Sequence, residues 1–380
     1  MREVSVREFG GNIQAALDAG APVVRIPAGE YRTRTLRIGS NTRLIAESGA
    51  HIIFADGAGK DSQCFLLTNR DLSTGNTDIH IEGGRWDGNN AGNPRGPDQP
   101  GSYTGAAFNF RNVRGLTIQD VTLHDATAYY VRLTEVTGFR FERIRFTSSQ
   151  LRPNQDGIHV AGFCEDGLIR DISASGVGVT NDDLVALLAD DALHRAQNLD
   201  LKCGPVRRVR IENLRADDCH SFVRLASVRH WIEEVDVRDV RGGCRVCALN
   251  CDALRYCMGP VFDARDPRFA AGVGLLRNVT LTGFELFKSK PTDLPLFLLE
   301  TRMQNFVLRD VRRDRTRDLS PAAPLLRVRG IETDGLTMNG RPPARLRRNE
   351  AFTFNEDGIR EFSVLNSLQL PVPEEASEPR

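Results

Sequence analysis

The stretch Pro153-Asn154-Gln155-Asp156-Gly157-Ile158-His159-Val160, answered one repeat later by Thr180-Asn181-Asp182-Asp183-Leu184-Val185-Ala186-Leu187, decides how the chain is read. Each half is a polar turn carrying Asp that runs at once into alternating apolar residues, the pattern of a short strand. Asp156 to Asp183 is 27 residues, and so is Ile158 to Val185. A chain winding one coil in that distance stacks the two strands in register and brings the Asp side chains side by side. Carboxylates crowded in this way repel, and partial burial raises the cost of charging them. Such an arrangement points to acid/base chemistry.

A repeat is legible on both sides of this stretch. Leu116-Thr117-Ile118-Gln119-Asp120-Val121 shares its pattern with Phe139 to Ile144, Leu168 to Ile172, Val209 to Leu214, Val235 to Val240, Val279 to Phe284 and Phe306 to Val311. The second apolar residue of each falls at 118, 141, 169, 211, 237, 281 and 308, in steps of 23, 28, 42, 26, 44 and 27. The two long steps contain irregular stretches around 188 to 205 and 250 to 275, as coils with inserted loops would. Two residues after each marker stands Asp120, Arg143, Asp171, Asn213, Asp239, Gly283 or Asp310, mostly side chains that favour a bend. A second ladder of short apolar runs lies between the copies, including Gly157 to Val160, Leu184 to Leu187, Phe222 to Leu225 and Arg245 to Leu249. About three short strands per coil, stacked around an apolar core, predict an all-β right-handed parallel β-helix. A leucine-rich repeat lacks its Leu/Asn template here, and a propeller would need two-residue hairpins that are scarce.

Further strands are expected at Val23 to Ile26, Thr35 to Ile38, Arg43 to Ala46, His51 to Phe54, Cys64 to Leu67 and Asp78 to Glu82. One short helix is expected at 12 to 19, capped by Asn12 and ended by Gly20, covering the N-terminal edge of the solenoid. The expected organisation is a single β-helix domain over 1–365 with a flexible tail over 366–380, which includes Pro371 to Glu375.

Fifty basic residues balance fifty acidic ones, which gives no support for a nucleic-acid partner. No stretch approaches the roughly 20 apolar residues of a membrane span. As written the chain is expected to be cytoplasmic, or secreted if a leader has been removed. Cys244, Cys247, Cys251 and Cys257 lie close together, but Cys244 and Cys247 fall on an expected strand where residues three apart face opposite ways. Buried free thiols are favoured over zinc, and neither metal nor other cofactor is expected.

The order of motifs resembles the polygalacturonase family, glycoside hydrolase family 28, of the pectin-lyase-like β-helix superfamily. Arg25-Ile26-Pro27-Ala28-Gly29-Glu30-Tyr31 is similar to that family's opening, and Ile81-Glu82-Gly83-Gly84-Arg85-Trp86-Asp87-Gly88 to its glycine-rich segment. Pro153 to Ile158 resembles "pNTDGi", and Asp182 to Leu187 resembles "DDciai"; together the matches run from about residue 11 to 250. The resemblance implies an inverting hydrolase in which Asp182 is the general acid and Asp156 and Asp183 hold and activate water. Chemistry supports the same division, because stacked carboxyl groups cannot all ionise at neutral pH and one with a raised pKa becomes a proton donor beside a base.

The chain departs from that family in two motifs. "GHG" becomes Cys219-His220-Ser221, which keeps a histidine placed to tune Asp182. "RIK" becomes Arg245-Val246-Cys247, which keeps the arginine and loses the lysine. If Ile158, Val185, Val223 and Val246 point inward, His159, Ala186, Arg224 and Cys247 line the outer face in one row. Asn154, His159, His220, Arg224 and Arg245 are therefore the candidate substrate-binding residues, with Arg224 as a replacement cation for a uronate carboxylate. The expected partner is a carbohydrate, plausibly uronate-containing. Two alternatives stand beside the hydrolase: a lyase using calcium with Arg224 or Arg245 as base, and a non-catalytic carbohydrate-binding β-helix. A stalk gains nothing from the repelling pair Asp182-Asp183.

Overall fold

Leu44, Ile81, Ile118, Phe141, Ile169, Ile211, Val237, Leu281 and Leu308 form one inward column in which every member is fully buried. Each pairs in parallel with the member one coil later, from Leu44 opposite Ile81 to Leu281 opposite Leu308. The computed structural model describes residues 2–59, 64–94, 107–191, 200–252, 274–342 and 351–369, and among these nearly all regular structure is strand. The fold is the parallel β-helix that the repeat predicts. No single coil can bury its own Ile, Val, Leu and Phe. Stacking does so at about 1.5–3 kcal/mol for each fully buried side chain.

The corners follow from residue chemistry. Asp120, Arg143, Asp171, Asn213, Asp239, Gly283 and Asp310 all take positive φ, between 52° and 76°, the left-handed region that Gly, Asn and Asp enter most readily. A second ladder of left-handed corners lies three residues before the markers, at Asn41, Asp78, Gly115, Gly138, Asp166, Arg208, Glu234, Asn278 and Asn305. These corners turn the chain from one sheet to the next.

The sheet that matters for function runs through Leu67–Asn69, the start of Val131–Thr147, Ile158–Val160, Asp183–Leu188 and the ends of Val206–Ala226 and Trp231–Cys251. Within it Val131 pairs with Ile158, Ile158 with Val185, Val185 with Val223, and Val223 with Leu249. Arg43 to Ala46 and His51 to Phe54, expected as two strands, form one bent strand, Thr42–Phe54. The strand expected at Cys64 to Leu67 starts later, at Leu67–Asn69.

At the N-terminal end Glu3–Ser5 pairs with Val23–Ile26, and a six-residue helix, Ile13–Asp18, buries Ile13, Ala16 and Leu17. The Asn12 side chain accepts from Ala15 N at 3.0 Å, as an N-cap should. At the C-terminal end, residues 366–369 of the expected 366–380 tail belong to a strand, and 370–380 lie outside the described residues. Gly358–Gln369 is a strand lying antiparallel against Met303–Arg313. It is held because Phe362 and Val364 alternate inward and are fully buried; Pro371 to Glu375 lie outside the described residues.

Cys164, Cys219, Cys244 and Cys251 sit in the apolar core, and Cys247 is buried as well. Burial pushes the Cys244 thiol up to about 11 and the Cys247 thiol up to about 12, which disfavours the thiolate a metal would need. Cys257 lies outside the described residues. Among the described residues no helix is long and apolar enough to cross a membrane.

Candidate active site

Asp156 and Asp183 occupy equivalent places in successive coils. Gly157 N donates to the Asp183 carbonyl at 2.9 Å, and the strands then run on with Ile158 opposite Val185. Asp156 is 4 % exposed and Asp183 1 %, whereas the Asp182 side chain keeps 20 % of its surface open to solvent. The turn carrying Asp182 is pinned from three sides. Thr180 Oγ1 donates to the Asp182 carbonyl at 2.8 Å, Asp183 N donates to Asp182 Oδ1 at 3.1 Å, and Asn154 Nδ2 reaches Asp182 Oδ2 at 3.5 Å. Asn154 is thus brought to the aspartates.

The environments of the carboxyl groups differ. Burial, and then the charges of Asp182 and Asp183, push Asp156 up to about 7, although His159 works against the shift. Burial acts on Asp183 too, but there the hydrogen bond and charge of His220 and the charge of Arg224 outweigh it, so Asp183 ends below its ordinary value. His220 Nδ1 stands 3.7 Å from Asp182 Oδ1 and 3.9 Å from Asp183 Oδ1, with Ser221 Oγ at 3.1 Å. Burial lowers the His220 pKa, and the two aspartates more than reverse this. The expected neighbourhood of His220 and Asp182 is therefore present, and Asp183 shares it.

The expected outward row is partly corrected. His159, Ala186 and Arg224 are in register, but the next coil offers Asn250, not Cys247. Two opposed irregularities, between Ala216 and Cys219 and between Cys219 and Ser221, cancel, so the register of Ile211 with Val237 carries through to Arg224 with Asn250. Val246 is not in the core; its carbonyl accepts from the buried Lys288 ammonium. Nor does this row meet solvent. His159 is 0 % exposed, with Nδ1 2.6 Å from Asp156 Oδ2 and Nε2 3.3 Å from Asp191 Oδ2. The Arg224 side chain, 4 % exposed, donates through Nε and Nη2 to Asp252 at 3.0–3.2 Å and places Nη1 3.7 Å from Asp183 Oδ2.

Both residues were candidates to touch substrate, and the structure instead commits them to buried carboxylates. Arg245 donates through Nη2 to Gly178 O, Thr180 O and Asn181 Oδ1. It braces the Asp182 turn, where a uronate-binding role had been expected.

Asp191 and Asp252 are the members sequence reading missed. Both sit just past the end of a strand of this sheet, where neither Asp190-Asp191 nor Asn250-Cys251-Asp252 differs in sequence from an ordinary turn. Asp190, beside Asp191, is structural: its Oδ2 accepts from Val228, Arg229 and His230 N at 2.7–3.0 Å. Among the described residues, two groups hold ligand atoms within 4.8 Å of one another, Asp182 with Asp183 and His220, and Asp87 with His124 and Asp125. Arg224 already supplies positive charge to the first. In the second, Asp125 is filled by Ser148, Ser149 and His124. We assign a metal to neither.

No protein-family model matches the chain. A putative phage-related protein of Bacillus subtilis, YobO, is 22% identical over 360 residues, 82% of this chain and 43% of that protein, so the chain spans less than half of that relative. The Family 28 exopolygalacturonase of Yersinia enterocolitica superposes with a TM-score of 0.51 at 14% identity, over 82% of this chain and 71% of that one. The family GH82 iota-carrageenase of A. fortis gives 0.51 at 15%, over 75% and 71%. The Streptococcus pneumoniae surface adhesin PfbA gives 0.51 at 13%, over 96% and 98%. At these identities the likeness establishes the parallel β-helix. Hydrolases and an adhesin share it.

Proposed function

We propose that the protein is a polygalacturonase-like glycoside hydrolase that cleaves a polysaccharide or oligosaccharide with inversion. The observation that carries this reading is the convergence of Asp156, Asp182 and Asp183 in one cluster, where the mutually repelling Asp156 and Asp182 share a proton held well above the ordinary carboxylate range, beside Asp183, which is held below it. Asp182, open to solvent, is the acid: its proton passes to the glycosidic oxygen as the C–O bond breaks. Water held by ionised Asp183, beside Asp156, gives a proton to the carboxylate and attacks the anomeric carbon from the opposite face. Asp182 ends ionised and the base protonated, and exchange with solvent restores both. The motifs at 153–158 and 182–187 and the β-helical hydrolases with which the chain superposes support the reading.

Two features weigh against the lyase. Arg224 is bound along its fork by Asp252, and Arg245 is spent on three acceptors, so neither arginine is placed to abstract a proton. The burial of Arg224 leaves the partly exposed Arg245 as the remaining arginine of the two expected to select a uronate, and the panel must include neutral as well as acidic polysaccharides. The test is release of reducing ends without unsaturated-uronate absorbance, abolished in Asp182→Asn by about 10²–10⁴-fold in kcat. Ultraviolet-absorbing product would establish the lyase. No product from any glycan that binds would leave a binding module.

A further inference from the structure

His159 lies in the fully buried row behind the aspartates, where it cannot touch a substrate, yet both its ring nitrogens face carboxylates. Nδ1 is 2.6 Å from Asp156 Oδ2 and Nε2 is 3.3 Å from Asp191 Oδ2, while the ring stacks on Tyr129 with centroids 4.2 Å apart. An ionised carboxylate only accepts, and a neutral imidazole has a single N–H. Two flanking carboxylates therefore call for the imidazolium, with Nδ1 hydrogen-bonded to Asp156 and Nε2 in ion-pair contact with Asp191.

We infer that His159 and Asp191 form a buried relay behind Asp156: the doubly protonated ring, held in place by Asp191, keeps Asp156 ionised, so that the proton shared by the aspartate cluster resides on Asp182. This rests on the hydrolase reading. His159 is then a positioning residue, and Asp191 positions His159. The arrangement has a counterpart across the cluster, where Arg224, held by Asp252, faces Asp183. The two fully buried aspartates each have a buried cation braced by a further Asp. Asp182, the solvent-facing carboxyl group, is the one left to carry the proton to a substrate.

The surroundings of His159 are consistent with a charged ring. Its register partner on the preceding coil, Arg132, is engaged by Asn109 and Asp200, and its partner on the next coil is the neutral Ala186. Asp182 and Asp183 add negative charge from the adjoining turn, and Tyr129 covers the ring face. Burial alone would neutralise the imidazole, but the hydrogen bond to Asp156 and the charges of Asp156 and Asp191 more than compensate and lift it to about 9. Asp156 and Asp182 act on each other, so the uptake of a proton near 7 belongs to the coupled group. His159 decides which carboxyl group holds it.

The test needs no substrate for its first arm. Nitrogen and proton NMR of the His159 ring in the wild-type protein is expected to show both ring nitrogens protonated at pH 7. In Asp191→Asn the proton affinity of the ring should fall at least tenfold while the melting curve stays cooperative. In the second arm Asp191→Asn should lower kcat about tenfold or more, shift the pH profile, and leave KM within about twofold. His159→Asn, whose amide stands where Nδ1 stood, should retain more kcat than His159→Gln, whose amide replaces Nε2.

A ring that is neutral at pH 7, or one that titrates alike in wild type and Asp191→Asn, overturns the relay whatever the activity. Equal losses of kcat and melting temperature in all three variants, with the pH profile unmoved, would mean that the group is only structural and would overturn it as well. A protonated ring in a protein that cleaves no glycan would defeat the hydrolase reading instead.

Discussion

Asp183 and Asp156 pull the pH dependence of stability in opposite directions. Asp183 titrates below its unfolded value of about 3.9, so its contribution is present above that value and is lost as the pH falls through the folded one. The proton shared by Asp156 and Asp182, and that on His159, are held above the unfolded values of these groups. Their contributions are complete below about 3.9 and about 6.5 and are lost as the pH rises through about 7 and about 9. The melting temperature is expected to peak in mildly acidic solution and decline toward pH 9, with Asp156→Asn flattening part of the decline. A scan from pH 3 to 10 that peaked at the alkaline end would contradict this. Arg224→Ala leaves Asp252 and Asp183 buried beside a lost cation and should destabilise by about 3–5 kcal/mol, read from denaturant unfolding. Alternation along the strands was enough to put His159 and Arg224 on the outer face. Their partners were illegible, because Asp191 and Asp252 come from turns whose approach depends on how the coils stack.

Single elements were legible where one residue type meets one backbone need. The corner two residues after each marker could be read from Asp, Asn and Gly. The ladder three residues before was harder to see, because Arg208 and Glu234 take the same left-handed turn without the usual side chain. Asp310, at φ 52°, tests the argument. Asp310→Val puts a branched Cβ where L-residues are strained and should cost about 1–2 kcal/mol, while Asp310→Gly should be nearly neutral; equal melting temperatures for the two would show that the corner imposes no strain. Register across the site failed at one place for a related reason. The motif sets Val246 opposite Val223, whereas the offset of Ile211 and Val237 carries through unchanged to Val223 and Leu249, the two bulges between Ala216 and Ser221 cancelling each other, and a bulge leaves no periodic trace in sequence.

A solenoid must also end, and an uncovered last coil presents unpaired backbone groups to any passing strand. Gly358–Gln369 meets that need here. It runs antiparallel to Met303–Arg313, pairing Phe306 with Val364 and Leu308 with Phe362, and Phe352–Phe354 does the same against Leu326–Val328. Because contacts in such a fold are made between neighbouring coils, removing this cover should spare the central coils. Deletion of residues 351–380 is therefore expected to keep the β-sheet circular dichroism signal while exposing the edge of Met303–Arg313 and the apolar positions under Phe362 and Val364. The loss amounts to about 1.5–3 kcal/mol for each of those two side chains, and the bare edge should drive association. Light scattering should show larger species at rising concentration for that deletion and an unchanged size for deletion of 370–380, which leaves the covering strand in place. If both deletions behaved as the full chain does, the last coil would not depend on this strand for protection, and the end of the solenoid would have to be blunted by its own charged edge.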